Sequence, residues 1–198
     1  SAPTVASVSP DSNYCSGSSL TITTIGNGEA LNYSWSLNGS PLSTINPFVN
    51  ISNFSAADTG NYVCTISNAC ESIDTSIHVG LIESPQITTP PSSQTVCVGE
   101  KVSIGIQASG SNLQYQWYED NTAVPSATDT VFTINNISEN YSHLISCEVY
   151  NSCGTETSGQ ISLTVNTPAQ VTAQPISTHI CEGQSVTLIS TATGTQPI

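Results

Sequence analysis

The stretch Asp58-Thr59-Gly60-Asn61-Tyr62-Val63-Cys64-Thr65-Ile66 decides how the chain is read. From Tyr62 onward, large residues alternate with smaller or polar ones, the period-two pattern of a half-buried strand. Side chains alternate across a strand, so Tyr62, Cys64 and Ile66 face the same way, toward a core. Val63 and Thr65 face the other way. Trp35 stands upstream in a second alternating run, Tyr33-Ser34-Trp35-Ser36-Leu37, which ends at Asn38-Gly39, a hairpin turn pair.

Working outward, the same landmarks recur. Cys15, Cys97 and Cys181 lie 82 and 84 residues apart, and Trp35 and Trp117 lie 82 apart. Cys64 and Cys147 differ by 83, as do Cys70 and Cys153; Pro3, Pro85 and Pro168 are spaced by 82 and 83. Offsets that agree within two residues define a repeat of about eighty residues. Two units are complete, at 1–82 and 83–166, and 167–198 is the N-terminal part of a third. Further strands are read at Leu20–Ile22, Val102–Ile106, Tyr115–Trp117, Val131–Ile134, Ile145–Val149, Ile77–Val79, Ile161–Val165 and Val186–Leu188. No stretch has a convincing helical period. About seven strands per unit, with a lone Trp on the third, indicate an all-β fold of β-sandwiches.

Asp58, Gly60, Tyr62 and Cys64 match the D-x-G-x-Y-x-C motif, and with Trp35 and Asn68 the first unit resembles an I-set immunoglobulin domain. The resemblance implies tandem immunoglobulin-like sandwiches, two complete and one partial. It also implies a tyrosine corner, in which Tyr62 bonds back to the turn carrying Asp58, and a core holding Trp35, Trp117, Cys64 and Cys147. In the second unit Tyr141, His143 and Ile145 replace Asp58, Gly60 and Tyr62. That corner is expected to be absent, its turn held by packing, with His143 given to solvent. A narrower resemblance rests on Val96-Cys97-Val98-Gly99-Glu100, Tyr115-Gln116-Trp117-Tyr118, Asn151-Ser152-Cys153-Gly154 and Leu163-Thr164-Val165. These are similar to tandem repeats of large secreted or cell-surface proteins of Bacteroidota, many of them read as adhesins. That likeness implies a bacterial surface fibre, with Thr130 of Asp129-Thr130-Val131 as an O-glycosylation candidate.

The usual inter-sheet disulfide of such domains joins the second and sixth strands. Here Thr24 and Ile106 hold the second-strand positions. Cys15, Cys97 and Cys181 come earlier, each after an apolar residue (Tyr14, Val96, Ile180) expected to face in, so these thiols are expected to face out. Cys70 and Cys153 fall in the turn after the sixth strand, at the opposite pole of a sandwich. Poles of consecutive domains are neighbours, so an inter-domain bond from Cys15 to Cys153 is one arrangement. By the same rule Cys70, Cys97 and Cys181 pair with neighbouring units. Bonds within each domain, Cys15 to Cys64 and Cys97 to Cys147, are a second, and other pairings stay open. Peptide mapping decides between them.

Composition limits function. One cation, Lys101, stands against 14 Asp and Glu, for a formal net charge of −13. Nucleic acid and anionic lipid both need a cationic footprint and are excluded as partners. No apolar run is long enough to span a membrane, so no direct membrane insertion is expected. His78, His143 and His179 are scattered, and no metal or other cofactor is expected. Asp74, Glu83, Glu156 and Glu182 are not clustered as a calcium loop requires and read as surface charge. Asn-x-Ser sequons occur at Asn32, Asn38, Asn50, Asn53, Asn136 and Asn140, and Tyr118 and Phe48 are expected to pack in the sandwich. No catalytic set emerges, and seven cysteines suit an oxidising, extracellular setting. The reading is a non-catalytic adhesive or structural segment of a secreted bacterial fibre, whose partners are neighbouring immunoglobulin-like domains and an unidentified protein or glycan ligand. The alternatives are an animal-type adhesion or receptor ectodomain and a spacer of a secreted hydrolase.

Overall fold

The structure is a computed structural model and describes residues 1–195. Every regular element among them is a strand, apart from a single 3-10 turn at Ala56–Asp58. In the first repeat the strands are β1 (Thr4–Val8), β2 (Ser12–Cys15), β3 (Leu20–Asn27), β4 (Asn32–Leu37), β5 (Ser40–Leu42), β6 (Phe48–Ile51), β7 (Gly60–Ser67) and β8 (Ser72–Ile82). They form two sheets, β1-β3-β6 and β2-β8-β7-β4-β5. The chain changes sheet at Ser9-Pro10: β1 pairs antiparallel with β3, and β2 then runs parallel to β8. Proline has no N–H for a ladder, so it suits the break between two pairings.

The core lies between the sheets, where Leu20 and Ile22 from one meet Trp35, Tyr62, Cys64, Ile66, Ile77 and Val79 from the other. Trp35 faces Cys64 directly across the β4–β7 ladder. The Trp35 indole donates to Asn46 O at 2.9 Å, so its buried N–H is satisfied. Asn38 and Gly39 adopt φ of +49° and +84°, the left-handed pair that a two-residue hairpin demands.

The second repeat carries β9 (Gln86–Thr89), β10 (Gln94–Cys97), β11 (Val102–Gly105), β12 (Gln107–Ser109), β13 (Gln114–Glu119), β14 (Thr122–Ala123), β15 (Val131–Ile134), β16 (Ile145–Asn151), β17 (Gly154–Thr157) and β18 (Leu163–Asn166). The single long β3 of the first repeat becomes β11 and β12, interrupted at Ile106, whose N–H bonds Thr130 O at 3.0 Å. β11 pairs with β15, β12 with β9, and β10 runs parallel to β18. A four-stranded sheet β14-β13-β16-β17 completes the sandwich. Trp117 is fully buried and its indole donates to Asp129 O at 2.8 Å, as Trp35 does to Asn46. Fold class is therefore as the alternation predicts: all-β, in tandem sandwiches.

In the third stretch β19 (Gln170–Ala173) pairs with β20 (Thr191–Thr193). Val186 and Leu188 match Leu20 and Ile22 in the repeat, yet they are 44% and 60% exposed, against 8% and 2%. Ile180, expected to face in, is 51% exposed. The strand expected at Val186–Leu188 does not form, and among the described residues no second sheet covers these side chains.

Two compact units emerge from the contacts. The first holds Ser1–Gln86 with Gly110–Leu113 and Tyr150–Thr155; the second holds Ile87–Ser109, Gln114–Val149 and the chain from Glu156 onward.

Candidate functional site: the cysteine-bearing turns

Three turns of one design carry Cys15, Cys97 and Cys181. In each, the N–H three residues on donates to the cysteine carbonyl: Ser18 to Cys15 at 3.2 Å, Glu100 to Cys97 at 3.2 Å, Gln184 to Cys181 at 3.1 Å. A glycine two residues past each cysteine, at Gly17, Gly99 and Gly183, holds φ between +81° and +85°, which L side chains rarely adopt. On these turns Cys97 and Cys181 are exposed and Cys15 is half-buried.

A second turn type carries Cys70 and Cys153. Asn68 Oδ1 accepts the Cys70 N–H at 2.9 Å, and Asn151 Oδ1 accepts the Cys153 N–H at 2.8 Å. The amide nitrogen of each asparagine works in the opposite direction. Asn68 Nδ2 donates to Ser1 O and Glu29 O; Asn151 Nδ2 donates to Glu83 O and Ser111 O, both at 2.7 Å. One side chain therefore ties the start of a repeat to the loop before β4 or β13 and presents the cysteine. In the sequence these asparagines stand out only as motif residues, and their capping role emerges with the fold. Their identical placement two residues before a cysteine in both repeats was the available signal.

Cys15 and Cys153 are joined by a disulfide with a Cα separation of 5.5 Å. Both belong to the first compact unit, which takes in the Tyr150–Thr155 turn. Cys70, Cys97 and Cys181 are exposed and carry free thiols, while Cys64 and Cys147 are buried. Burial pushes both buried thiols up to about 11, so neither supplies a thiolate near neutrality. Opposite Cys64 sits Thr24, also fully buried. Its hydroxyl reaches toward that sulfur, a weak partner, and makes no hydrogen bond of good geometry. Ile106 fills the corresponding core position in the second repeat.

The Tyr62 hydroxyl donates to Asp58 O at 2.8 Å. Desolvation, reinforced by the Asp58 charge, raises its pKa to about 12. Asp58 in turn accepts from the Ser55 N–H and hydroxyl at 2.9 and 2.8 Å. The equivalent turn of the second repeat is not held by packing alone, contrary to expectation. Asp120 accepts from His143 Nδ1 at 2.6 Å and from the Leu144 N–H at 2.9 Å, and Tyr141 donates to Glu119. The hydrogen bond to Asp120 raises the His143 pKa, and the same bond lowers that of Asp120. In the first repeat Asn38 does the corresponding work with a neutral amide, bonding Thr59 O and the Asn61 N–H at 3.0 Å each.

The remaining marked residues are dispersed. Thr130 and all six sequon asparagines are exposed. Tyr118 is half-buried and donates to Glu148, whereas Phe48, expected inside, is 36% exposed because it lies on the outward side of β6, opposite Thr23. Asp74, Glu83, Glu156 and Glu182 do not converge, and no group of three metal-ligating side chains occurs among the described residues. No helix among them is long and apolar enough to cross a membrane.

Comparison with known proteins supports the fold but not the expected origin. Residues 84–165 match the immunoglobulin domain family model. The cell adhesion molecule DSCAM of Gallus gallus is 27% identical over 162 residues, covering 75% of this chain and 8% of that protein. Protein sidekick-1 of Homo sapiens is 38% identical over 101 residues, covering 46% of this chain and 5% of that protein. The chain thus spans less than a tenth of the length of these relatives. An I-band fragment of titin superposes with a TM-score of 0.76 at 21% identity, covering 100% of this chain and 77% of the fragment. These relatives are animal proteins, and the expected Bacteroidota origin finds no support in them. The chain is a tandem array of immunoglobulin-like β-sandwiches.

Proposed function

We propose that this chain is a non-catalytic segment of an animal-type extracellular adhesion protein. Its sandwiches present binding surfaces to immunoglobulin-like domains of other chains, and the Cys15–Cys153 bond limits bending where one repeat follows another. The observation that carries the reading is the alignment of three quarters of the chain with a cell adhesion molecule. Free thiols at Cys70, Cys97 and Cys181, on the same two turn types as the bonded pair, extend the pattern to neighbouring units. Beads coated with the oxidised chain should aggregate, or bind cells, above a control protein of equal charge. Failure to do either, with the fold intact, overturns the adhesive reading.

A second reading, a bacterial surface fibre, is favoured by one departure. Thr24 and Ile106 stand where the family's second-strand cysteine belongs, and cross-linking has moved to the poles. Glycan mass spectrometry of the native protein separates the two. N-glycans on the Asn-x-Ser sites support the animal ectodomain, and O-glycans at Thr130 without them support the fibre.

A further inference from the structure

The entry of a repeat is framed by a reciprocal pair of hydrogen bonds in the second repeat and again in the third stretch. In the second repeat the Glu83 N–H donates to Ser111 Oγ at 3.0 Å and the Ser111 N–H returns to Glu83 O at 3.1 Å. In the third stretch the Thr167 N–H donates to Thr195 Oγ1 at 2.6 Å and the Thr195 N–H returns to Thr167 O at 3.1 Å. Gly110 and Gly194 precede the two frames' second members, with φ of +136° and +147°. The first two frames, Ser1 with Glu29 and Glu83 with Ser111, are each capped by an asparagine amide that bridges both carbonyls. Among the described residues no asparagine caps Thr167 and Thr195. Beside that frame lies a cavity of about 670 Å³ lined by Val98, Glu139, Pro168, Ala169, Gln170 and Gly194. Cys97, free and exposed, directly precedes Val98. All of these residues belong to the second compact unit.

We propose that the Thr167–Thr195 frame, its cavity and Cys97 form a docking place for the Asn-x-Cys turn of an immunoglobulin-like strand pair. The asparagine amide of the incoming turn caps the two carbonyls, and its cysteine bonds Cys97. The occupant is identified by chemistry seen twice in this chain: Asn151 caps its frame while presenting Cys153 to Cys15, and Asn68 caps its frame while presenting Cys70. A hydrophobic ligand would leave the two carbonyls without the paired donors that a single amide NH₂ supplies. The bond forms by exchange. The Cys97 thiolate attacks the sulfur of the turn's cysteine in a mixed disulfide, and the capping thiolate leaves. This inference rests on the reading that polar disulfides link successive repeats.

The test uses the whole chain and a backbone-cyclised peptide of Glu148–Thr157, its cysteine held as a mixed disulfide with 2-mercaptoethanol. Capture at each thiol is read by peptide mapping. Loss of one hydrogen bond is worth about fivefold, so Cys97 should be captured at least about fivefold over Cys70 and Cys181. An Asn151→Ala peptide should lose that preference. Equal capture at all three thiols, or equal capture by both peptides, overturns the proposal. The same digest reports the Cys15–Cys153 linkage. If it is present and Cys97 shows no preference, this inference fails alone; if it is absent, the reading beneath it fails.

Discussion

Replacing Cys15 and Cys153 together by serine tests the feature that most sets this chain apart. The bond spans 138 residues of sequence. Chain entropy alone assigns such a closure about 5 kcal/mol, and measured bonds return nearer 2–4 kcal/mol. The loss should concentrate where the bond acts. The Tyr150–Thr155 turn sits in the first compact unit through this bond, through Asn151 and through the weak Ser84–Cys153 contact at 3.5 Å. Native-state hydrogen exchange read by mass spectrometry should show those amides exchanging about thirtyfold to about seven hundredfold faster, since 1.4 kcal/mol is tenfold. Interior β7 amides, held by β4 and β8 on either side, should change much less. Reduction of the wild-type chain should reproduce the effect, and the double variant should ignore reductant. A peptide linking Cys15 to Cys64 would refute the reasoning at its root. Unchanged exchange in the turn would refute the assigned magnitude.

Other expectations follow from single residues. Tyr62→Phe removes one buried hydroxyl bond and should cost the first repeat about 1 kcal/mol, whereas Tyr62→Ala, which also removes the ring, should cost about 3–5 kcal/mol in thermal unfolding. Thr24→Val removes a buried hydroxyl that lacks a good partner and should stabilise by about 1 kcal/mol in the same assay. The His143–Asp120 clasp should be pH-dependent. His143 has a raised pKa, so its contribution is complete below 6.5 and fades as pH rises through the raised value. Asp120 has a lowered pKa, so its share is complete above 3.8 and fades as pH falls through the lowered value. NMR titration should place the His143 midpoint above that of a free imidazole, and Asp120→Asn should bring it back.

The sandwich was legible because its evidence is local. Period-two runs, a hairpin dipeptide and a repeat spacing need no knowledge of what packs where. Tyr62 and Cys64 share a face by strand geometry alone, and both are buried. Ile180 and Phe48 show where that reasoning stops. Alternation says which residues share a face; burial also depends on whether another layer covers it. The Asp120–His143 clasp was invisible for a related reason. Its partners lie 23 residues apart and meet only because the β13–β14 hairpin tip reaches the turn before β16. Asp120 and Asn121 adopt the left-handed φ values that mark Asn38 and Gly39, but Asp-Asn is a weaker turn signal than Asn-Gly.

The asparagine caps and the displaced cysteines together explain how these sandwiches do without the usual inter-sheet bond. Cys64 packs against a threonine, and its counterpart Cys147 belongs to a repeat with isoleucine at that core position, so both cores close by burial rather than by covalent linkage. The covalent link sits at the pole, where one amide both fixes the entry of a repeat and positions the thiol that leaves it. Coupling those two tasks in one residue means that a repeat whose entry is mis-set also misplaces its cysteine. Asn151→Asp isolates that coupling. The carboxylate keeps the acceptor for the Cys153 N–H but loses both donors to Glu83 O and Ser111 O, and it brings a charge against two carbonyl oxygens. Under a glutathione redox buffer the Cys15–Cys153 bond should become easier to reduce by at least about tenfold, the equivalent of 1.4 kcal/mol. An unchanged equilibrium would mean that the thiol is positioned by the β16–β17 turn backbone alone, and that the amide serves the entry frame only.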